Sequence, residues 1–202
     1  MLSYEESLKI LKETDALLEG HFILSSGLHS NKYIQCAKLL SHPIKSEKIC
    51  HSLAAKIKDN FKKIDIVLSP AIGGIVVGYE IARQLNVRAI FSERSDGKML
   101  LRRGFNIPKN SNVLIVEDVI TTGKSAAECS EIIKIHNSRL VGYACLINRS
   151  SNDVLNEDKI VAQIKFKIET FKSNELPESL KKITPSKPGS RNLNKWKKRD
   201  LV

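Results

Sequence analysis

VLIVEDVITTGKSAAE, residues 113–128, decides how the rest of the chain is read. Val113, Leu114, Ile115 and Val116 make a short apolar run that suits a buried strand. Glu117 and Asp118 follow directly, and Thr121-Thr122-Gly123-Lys124-Ser125 then leads into a helical pattern. Hydroxyls and the unpaired N–H groups at a helix start are a ready cradle for phosphate. Gly-Lys-Ser would fit the end of a Walker-type loop, but that motif needs a glycine five residues before its Gly. Asp118 stands there, and a carboxylate at close range repels a polyphosphate. The ligand that suits both halves carries phosphate at one end and paired hydroxyls at the other, because a carboxylate accepts hydrogen bonds from OH groups. A sugar phosphate lying along the loop fits. The plainer alternative is an Asp-capped turn with a solvated lysine.

Outward from this stretch, strands and helices alternate. IDIVLS (64–69), VRAIFS (87–92), NVLIVED (112–118) and RLVGYACLIN (139–148) read as strands. GIVVGYEIARQL and KSAAECSEIIKIH read as helices. The strands are apolar without clean alternation, which predicts an α/β fold around a mainly parallel sheet covered on both faces. IVAQIKFKIE (160–169) does alternate and reads as a half-exposed edge strand. Before this block, Ser3 with Glu6 predicts a capping box opening a first helix, with Leu8, Leu11 and Leu18 on its apolar side. Residues 20–40 read as short strands and turns, and 45–60 as a helix. Residues 92–110, polar and basic, read as a loop or hairpin.

Ligands of an open parallel sheet bind beyond the carboxyl ends of the strands. Two further loops leave the sheet at that end. In Ser69-Pro70-Ala71-Ile72-Gly73-Gly74, small residues let backbone N–H groups approach an anion where a helix begins. Ordinary strand-to-helix turn chemistry is the simpler reading of it. From Glu93 to Arg103, the cations Arg94, Lys98, Arg102 and Arg103 share one segment, with Gly97 and Gly104 as candidate hinges, and a mobile basic segment can close over a polyphosphate. A solvated basic turn or a nucleic-acid patch accounts for it equally well.

Composition narrows the class. A chain of 202 residues with 42% apolar content can bury one real core. No apolar run reaches the length of a membrane helix, and MLSYEESLKILKETD lacks the apolar stretch of a signal peptide, so a cytoplasmic protein is expected. Cys36, Cys50, Cys129 and Cys145 form no Cys-x-x-Cys pair and read as buried thiols. The five histidines show no metal-ligand spacing. The formal charge is +11, but residues 172–202 hold nine basic and three acidic residues, leaving only +5 for the other 171. That segment, with three prolines and an isolated Trp196, reads as an irregular, partly mobile basic extension.

The stretch 113–128 resembles the phosphoribosyl-pyrophosphate (PRPP) signature of type I phosphoribosyltransferases. EGHFILSSGLHSNKYIQCAKLL, SPAIGGIVVGYEIARQL, FSERSDGKMLLRRGF, CLINRS and KPGSR, in this order, are similar to orotate phosphoribosyltransferases. The resemblance spans roughly residues 15 to 191. It implies the type I fold, a twisted, mainly parallel sheet flanked by helices with a small N-terminal hood. The expected organisation is one domain over 1–171, with the hood mainly in 1–44 plus part of 149–171, followed by the extension 172–202.

The implied reaction joins orotate to PRPP, giving orotidine 5'-monophosphate and pyrophosphate in pyrimidine synthesis, with magnesium as cofactor. By the same resemblance Glu117 and Asp118 hold the ribose hydroxyls. The loop from Val119 and Ile120 through Thr121, Thr122, Gly123, Lys124 and Ser125 takes the 5'-phosphate. Ser69, Ala71, Gly73 and Gly74 line the pyrophosphate, which Arg94 and Lys98 also contact. Lys98 is cast as a stabiliser of the leaving group, and the catalytic set is Lys98, Asp118 and Glu117. Arg149 and Thr121 meet orotate, and Tyr33 is a candidate for the base pocket. No protein metal site is implied, since magnesium arrives mainly on PRPP. The implied assembly is a homodimer in which loop 93–104 reaches the partner's site, with no nucleic-acid or membrane partner.

The chain departs from many relatives at Ser95 and Leu100, where they carry lysine and histidine, and at Ser25, where they carry lysine. Arg102 and Arg103 are candidates to replace the missing loop cations. Two rival readings keep the same fold: a purine or uracil phosphoribosyltransferase, and a regulatory RNA-binding protein that uses the basic extension.

Overall fold

The computed structural model describes the chain except residues 25, 151–154, 156–159, 167 and 189–202. Ser25, Trp196 and the expectations for the end of the basic extension therefore lie outside the described residues. The elements run, in chain order, α1 (Tyr4–Glu13), β1 (Leu17–Ile23), β2 (His29–Ile34), α2 (Cys36–Leu40), α3 (Pro43–Asn60), β3 (Ile66–Pro70), α4 (Gly73–Leu85), β4 (Arg88–Ser95), β5 (Lys98–Leu101), β6 (Asn112–Ile120), α5 (Lys124–Ile135), β7 (Arg139–Asn148), β8 (Ile160–Lys165), β9 (Thr170–Phe171) and α6 (Glu178–Lys181). They form two compact units, Met1–Ala16 with Cys36–Lys167, and Leu17–Gln35 with Ile168–Val202. The hood was expected mainly in 1–44; in this division α1 and the residues from Cys36 onward group with the large unit.

The large unit is built on a six-stranded sheet in the order β5-β4-β3-β6-β7-β8. Every neighbouring pair is parallel except β4 with β5. The apolar runs are continuous because both faces are covered: β3 is buried at all five positions, and β6 at its first five. Ile66, Leu68, Val113, Ile115, Tyr143 and Cys145 pack with Ala126, Cys129, Ile132 and Ile133 of α5. The alternate residues of the same strands point to the opposite face, where α4 packs on β3 and β6, and α3 on β7 and β8. β8 ends the sheet, as its alternation predicted. Among the described residues no helix is long and apolar enough to cross a membrane.

α1 opens on the expected box. The Glu6 N–H donates to Ser3 Oγ at 3.1 Å and the Ser3 N–H donates to Glu6 Oε2 at 2.8 Å. Of residues 92–110, Ser92 to Leu101 form a hairpin of β4 with β5. Ser95 pairs with Lys98 across Asp96-Gly97, which take φ of 49° and 80°, the positive values that a two-residue type I′ turn demands.

In the small unit β1, β2 and β9 form an antiparallel sheet. Residue 186 runs beside β1, donating its N–H to the His21 carbonyl and accepting from Ile23, each at 2.8 Å. The pairing of β1 with β2 brings two histidines together that sequence left scattered. His21 Nε2 and His29 Nδ1 are 2.6 Å apart, and His21 Nδ1 lies 2.8 Å from the Ile183 carbonyl. A carbonyl only accepts, so His21 carries its proton on Nδ1, and His29 donates to Nε2 when both rings are neutral. Tyr33 stacks at a tilt on Phe22, with centroids 5.8 Å apart.

Candidate active site

β3, β6 and β7 end side by side at one edge of the large sheet. Three loops start there: 71–72 before α4, 121–123 before α5, and the residues after Asn148. β6 continues past its two acids to Ile120, so Val119 and Ile120 belong to the strand. Ile120 is fully buried and contributes its backbone: its carbonyl accepts the Arg149 N–H at 2.8 Å. This bond fixes Arg149 beside the strand that carries the acids. Asn148 closes β7 by accepting from the Ser150 N–H at 2.9 Å and its hydroxyl at 2.7 Å.

Glu117 and Asp118 are adjacent on a strand and therefore point to opposite faces of the sheet. Asp118 faces α4. A Cβ placed on Gly73 would stand 2.8 and 2.9 Å from its two carboxylate oxygens, so only glycine lets the start of α4 come this close. Asp118 Oδ1 accepts the Val119 N–H at 2.8 Å. Its carbonyl lies 3.9 Å from Cys36 Sγ at the start of α2. Glu117 lies on the α5 side, where its charge acts on Cys129 and Cys145. The two carboxyls thus straddle the tip of β6.

Burial, with the neighbouring charge of Asp118, pushes the Glu117 carboxyl up to about 8. Burial also raises Asp118, partly offset by the N–H bond from Val119. Two half-buried acids, with no positive partner among the described residues, favour whatever donates hydrogen bonds to them or carries positive charge near them.

The flanking turns have the opposite preference. Gly123 caps α5 with φ 67°, and no side chain caps the helix. The first-turn N–H groups have no acceptor within the helix. α4 likewise starts at Gly73 without a side-chain cap. A cis peptide joins Ala71 to Ile72, and the Ala71 N–H donates to the Ser92 carbonyl at 2.7 Å. Ser69 sits beneath this loop, 1% exposed, and its hydroxyl meets no hydrogen-bond partner. It fills the notch that Gly78 leaves, with Oγ 1.8 Å from where a Cβ there would be. The carboxyls on β6 thus lie between two helix starts that attract anions.

The structure brings Ser69, Ala71, Gly73, Gly74, Asp118 and the 121–125 turn to one edge. Arg94 and Lys98 lie on the β4–β5 hairpin, past the level of Pro70, which pairs with Ser92. Arg94 is engaged by Glu128 of α5 through both its terminal nitrogens, and by the Gly97 carbonyl at 2.6 Å. Arg102 and Arg103, the candidate replacements for missing loop cations, pair with Glu93 at 3.7 and 3.1 Å, and Arg103 lies over the Phe91 ring. Sequence reasoning missed Glu128 and Gly78, because each gains its meaning only from the helix packing. The four thiols are free and buried. Burial raises all of them, Cys50 and Cys129 to about 12.

Two anion-seeking helix starts around a straddling acid pair, on a mainly parallel sheet, are the attributes of a sugar-phosphate transferase. Residues 37–181 match the phosphoribosyl transferase domain family, and the chain belongs to it. Relatives from Caldicellulosiruptor saccharolyticus and Caldicellulosiruptor bescii, both named orotate phosphoribosyltransferase, are 47% identical over 95% of this chain and 48% over 91%. The matches cover 100% and 96% of those proteins. Within the wider family, then, the chain falls among the orotate phosphoribosyltransferases. The crystal structure of orotate phosphoribosyltransferase from Aeropyrum pernix shares the fold, with a TM-score of 0.68 at 24% identity, covering 77% of this chain and 90% of that one.

Proposed function

We propose that the protein transfers the 5-phosphoribosyl group from PRPP to orotate, releasing pyrophosphate and forming orotidine 5'-monophosphate for pyrimidine synthesis. The observation that carries this reading is the straddling pair Glu117 and Asp118 set between the uncapped starts of α4 and α5. The 5'-phosphate takes the N–H groups and hydroxyls of Thr121 to Ser125. The ribose hydroxyls donate to Glu117 and Asp118. The pyrophosphate lies along Ser69 to Gly74, and each hairpin carries Arg94 and Lys98 to the pyrophosphate of the neighbouring subunit. Arg149 offers a planar fork to orotate, whose carboxylate a bidentate guanidinium suits.

In the reaction the C1'–O bond to pyrophosphate breaks and a bond from the orotate ring nitrogen to C1' forms. The ribose gains positive charge as the anion departs, and half-buried carboxylates next to the ring stabilise that charge. Lys98 and Arg94 stabilise the leaving group. Magnesium is expected to arrive on the pyrophosphate, whose charge it offsets. Asp118, whose carboxylate lies beside the Gly73 turn, would be an oxygen ligand for it.

The same resemblance implies a homodimer, with the 93–104 hairpin serving the partner's site. α4 supplies a face for a second copy: Ile72, Val76 and Tyr79, at 85%, 51% and 65% exposure, follow one another at helical spacing. Four reduced, buried thiols suit the cytoplasm.

The test is orotate consumption followed spectrophotometrically with PRPP and magnesium, beside uracil, hypoxanthine and adenine. Orotate alone is expected to react. Asp118→Asn is expected to cut turnover by roughly a hundredfold or more while the fold is kept; an unchanged rate removes the ribose assignment.

A further inference from the structure

The β4–β5 hairpin and α5 are joined by an ion pair that none of the steps above uses. Arg94 Nη1 donates to Glu128 Oε1 at 3.3 Å and to the Gly97 carbonyl at 2.6 Å, while Nη2 donates to Glu128 Oε2. This is the fork-on-carboxylate geometry that a guanidinium also offers to phosphate. Glu128 stands one helical turn past Lys124, on the helix whose start is assigned to the 5'-phosphate. The two arginines that follow the hairpin, Arg102 and Arg103, pair with Glu93. Among the described residues, the Arg94–Glu128 pair is the ionic tie between the hairpin tip and α5. A carboxylate and a pyrophosphate oxygen pair cannot occupy the same fork.

We propose that Glu128 is a positioning residue that holds Arg94 on α5 until the pyrophosphate of PRPP displaces it. The inference rests on the reading of Arg94 as a pyrophosphate ligand. Glu128 then sets a threshold: the hairpin commits its arginine only to an anion that outcompetes a carboxylate, and pyrophosphate leaves more readily because Glu128 takes the fork back.

The test is calorimetric binding of inorganic pyrophosphate, with magnesium, to the full chain and to Glu128→Gln, Arg94→Ala and the double variant. Glu128→Gln is expected to bind about two- to fivefold tighter, the range of a half-exposed ion pair. Arg94→Ala is expected to bind about tenfold weaker or worse. In the Arg94→Ala background Glu128→Gln is expected to change nothing, because the glutamate acts through the arginine. Tightening that persists without Arg94 is charge repulsion at a distance and overturns the proposal. Weaker binding by Arg94→Ala with no tightening by Glu128→Gln overturns the proposal and leaves the Arg94 assignment intact. Unchanged binding by Arg94→Ala removes that assignment and the proposal with it.

Discussion

Glu117 holds its proton at neutral pH in the ligand-free molecule, since burial and Asp118 push it up to about 8. A ribose hydroxyl that donates to the ionised carboxylate lowers this value, so binding releases a proton. Affinity for ribose 5-phosphate should therefore rise with pH between about 7 and 8.5, by at most about tenfold per unit for one proton. The ligand phosphate does not confuse this window, because its second proton leaves near pH 6. Calorimetry in two buffers of different ionisation enthalpy measures the release, and Glu117→Gln should abolish it. The effect on stability has the opposite sign. From the ordinary 4.5 up to about 8 the native state keeps a proton that the unfolded chain has lost, so raising pH through that window destabilises the free protein. The position of both acids near a strand end was legible in sequence, because an apolar run precedes them and a Thr-Thr-Gly turn begins after two further residues. The pairing of His21 with His29 was not, since seven intervening residues hide a contact made by strand register.

At the scale of elements, the site depends on how closely α4 rides on β3. Gly74 and Gly78 share a helix face, and both would meet Ser69 if they carried a Cβ. Gly78→Ala would push a methyl into Ser69 Oγ and should cost about 1–3 kcal/mol, as overpacking does. Chemical denaturation measures that loss, and a loss of PRPP affinity should accompany it because the pyrophosphate turn shifts with the helix. Neither glycine carries a sequence signal of this role, which depends on the serine underneath. The hairpin was only half legible. Asp96-Gly97 is a strong turn pair, but the basic run around it reads as loop or hairpin until strand pairing is seen to extend β4 to Ser95. The strand limits of β7 came straight from RLVGYACLIN, because both of its faces are buried and its ends are polar.

For the whole molecule, the reading assigned to the exposed face of α4 is association. Val76→Asp together with Tyr79→Asp places two charges where a second copy is proposed to sit. Sedimentation should show the parent chain as a dimer and the double variant as a monomer, with activity falling by about tenfold or more if the hairpin serves the neighbouring site. A double variant that stays dimeric would remove the assignment of this face. The parallel architecture was readable because helices and strands alternate along the chain, and each strand had to be apolar throughout. The grouping of α1 with the large unit was not, because an amphipathic helix shows which side it buries but not against which partner.

The sealed cysteines have a practical consequence. Each thiol is buried, and burial keeps it in the unreactive protonated form. The natural sequence is thus already a silent background for site-directed spectroscopy. A cysteine introduced at the Asp96 tip would be the one thiol open to a fluorophore or spin label, and would report hairpin movement during turnover with none of the native cysteines first removed.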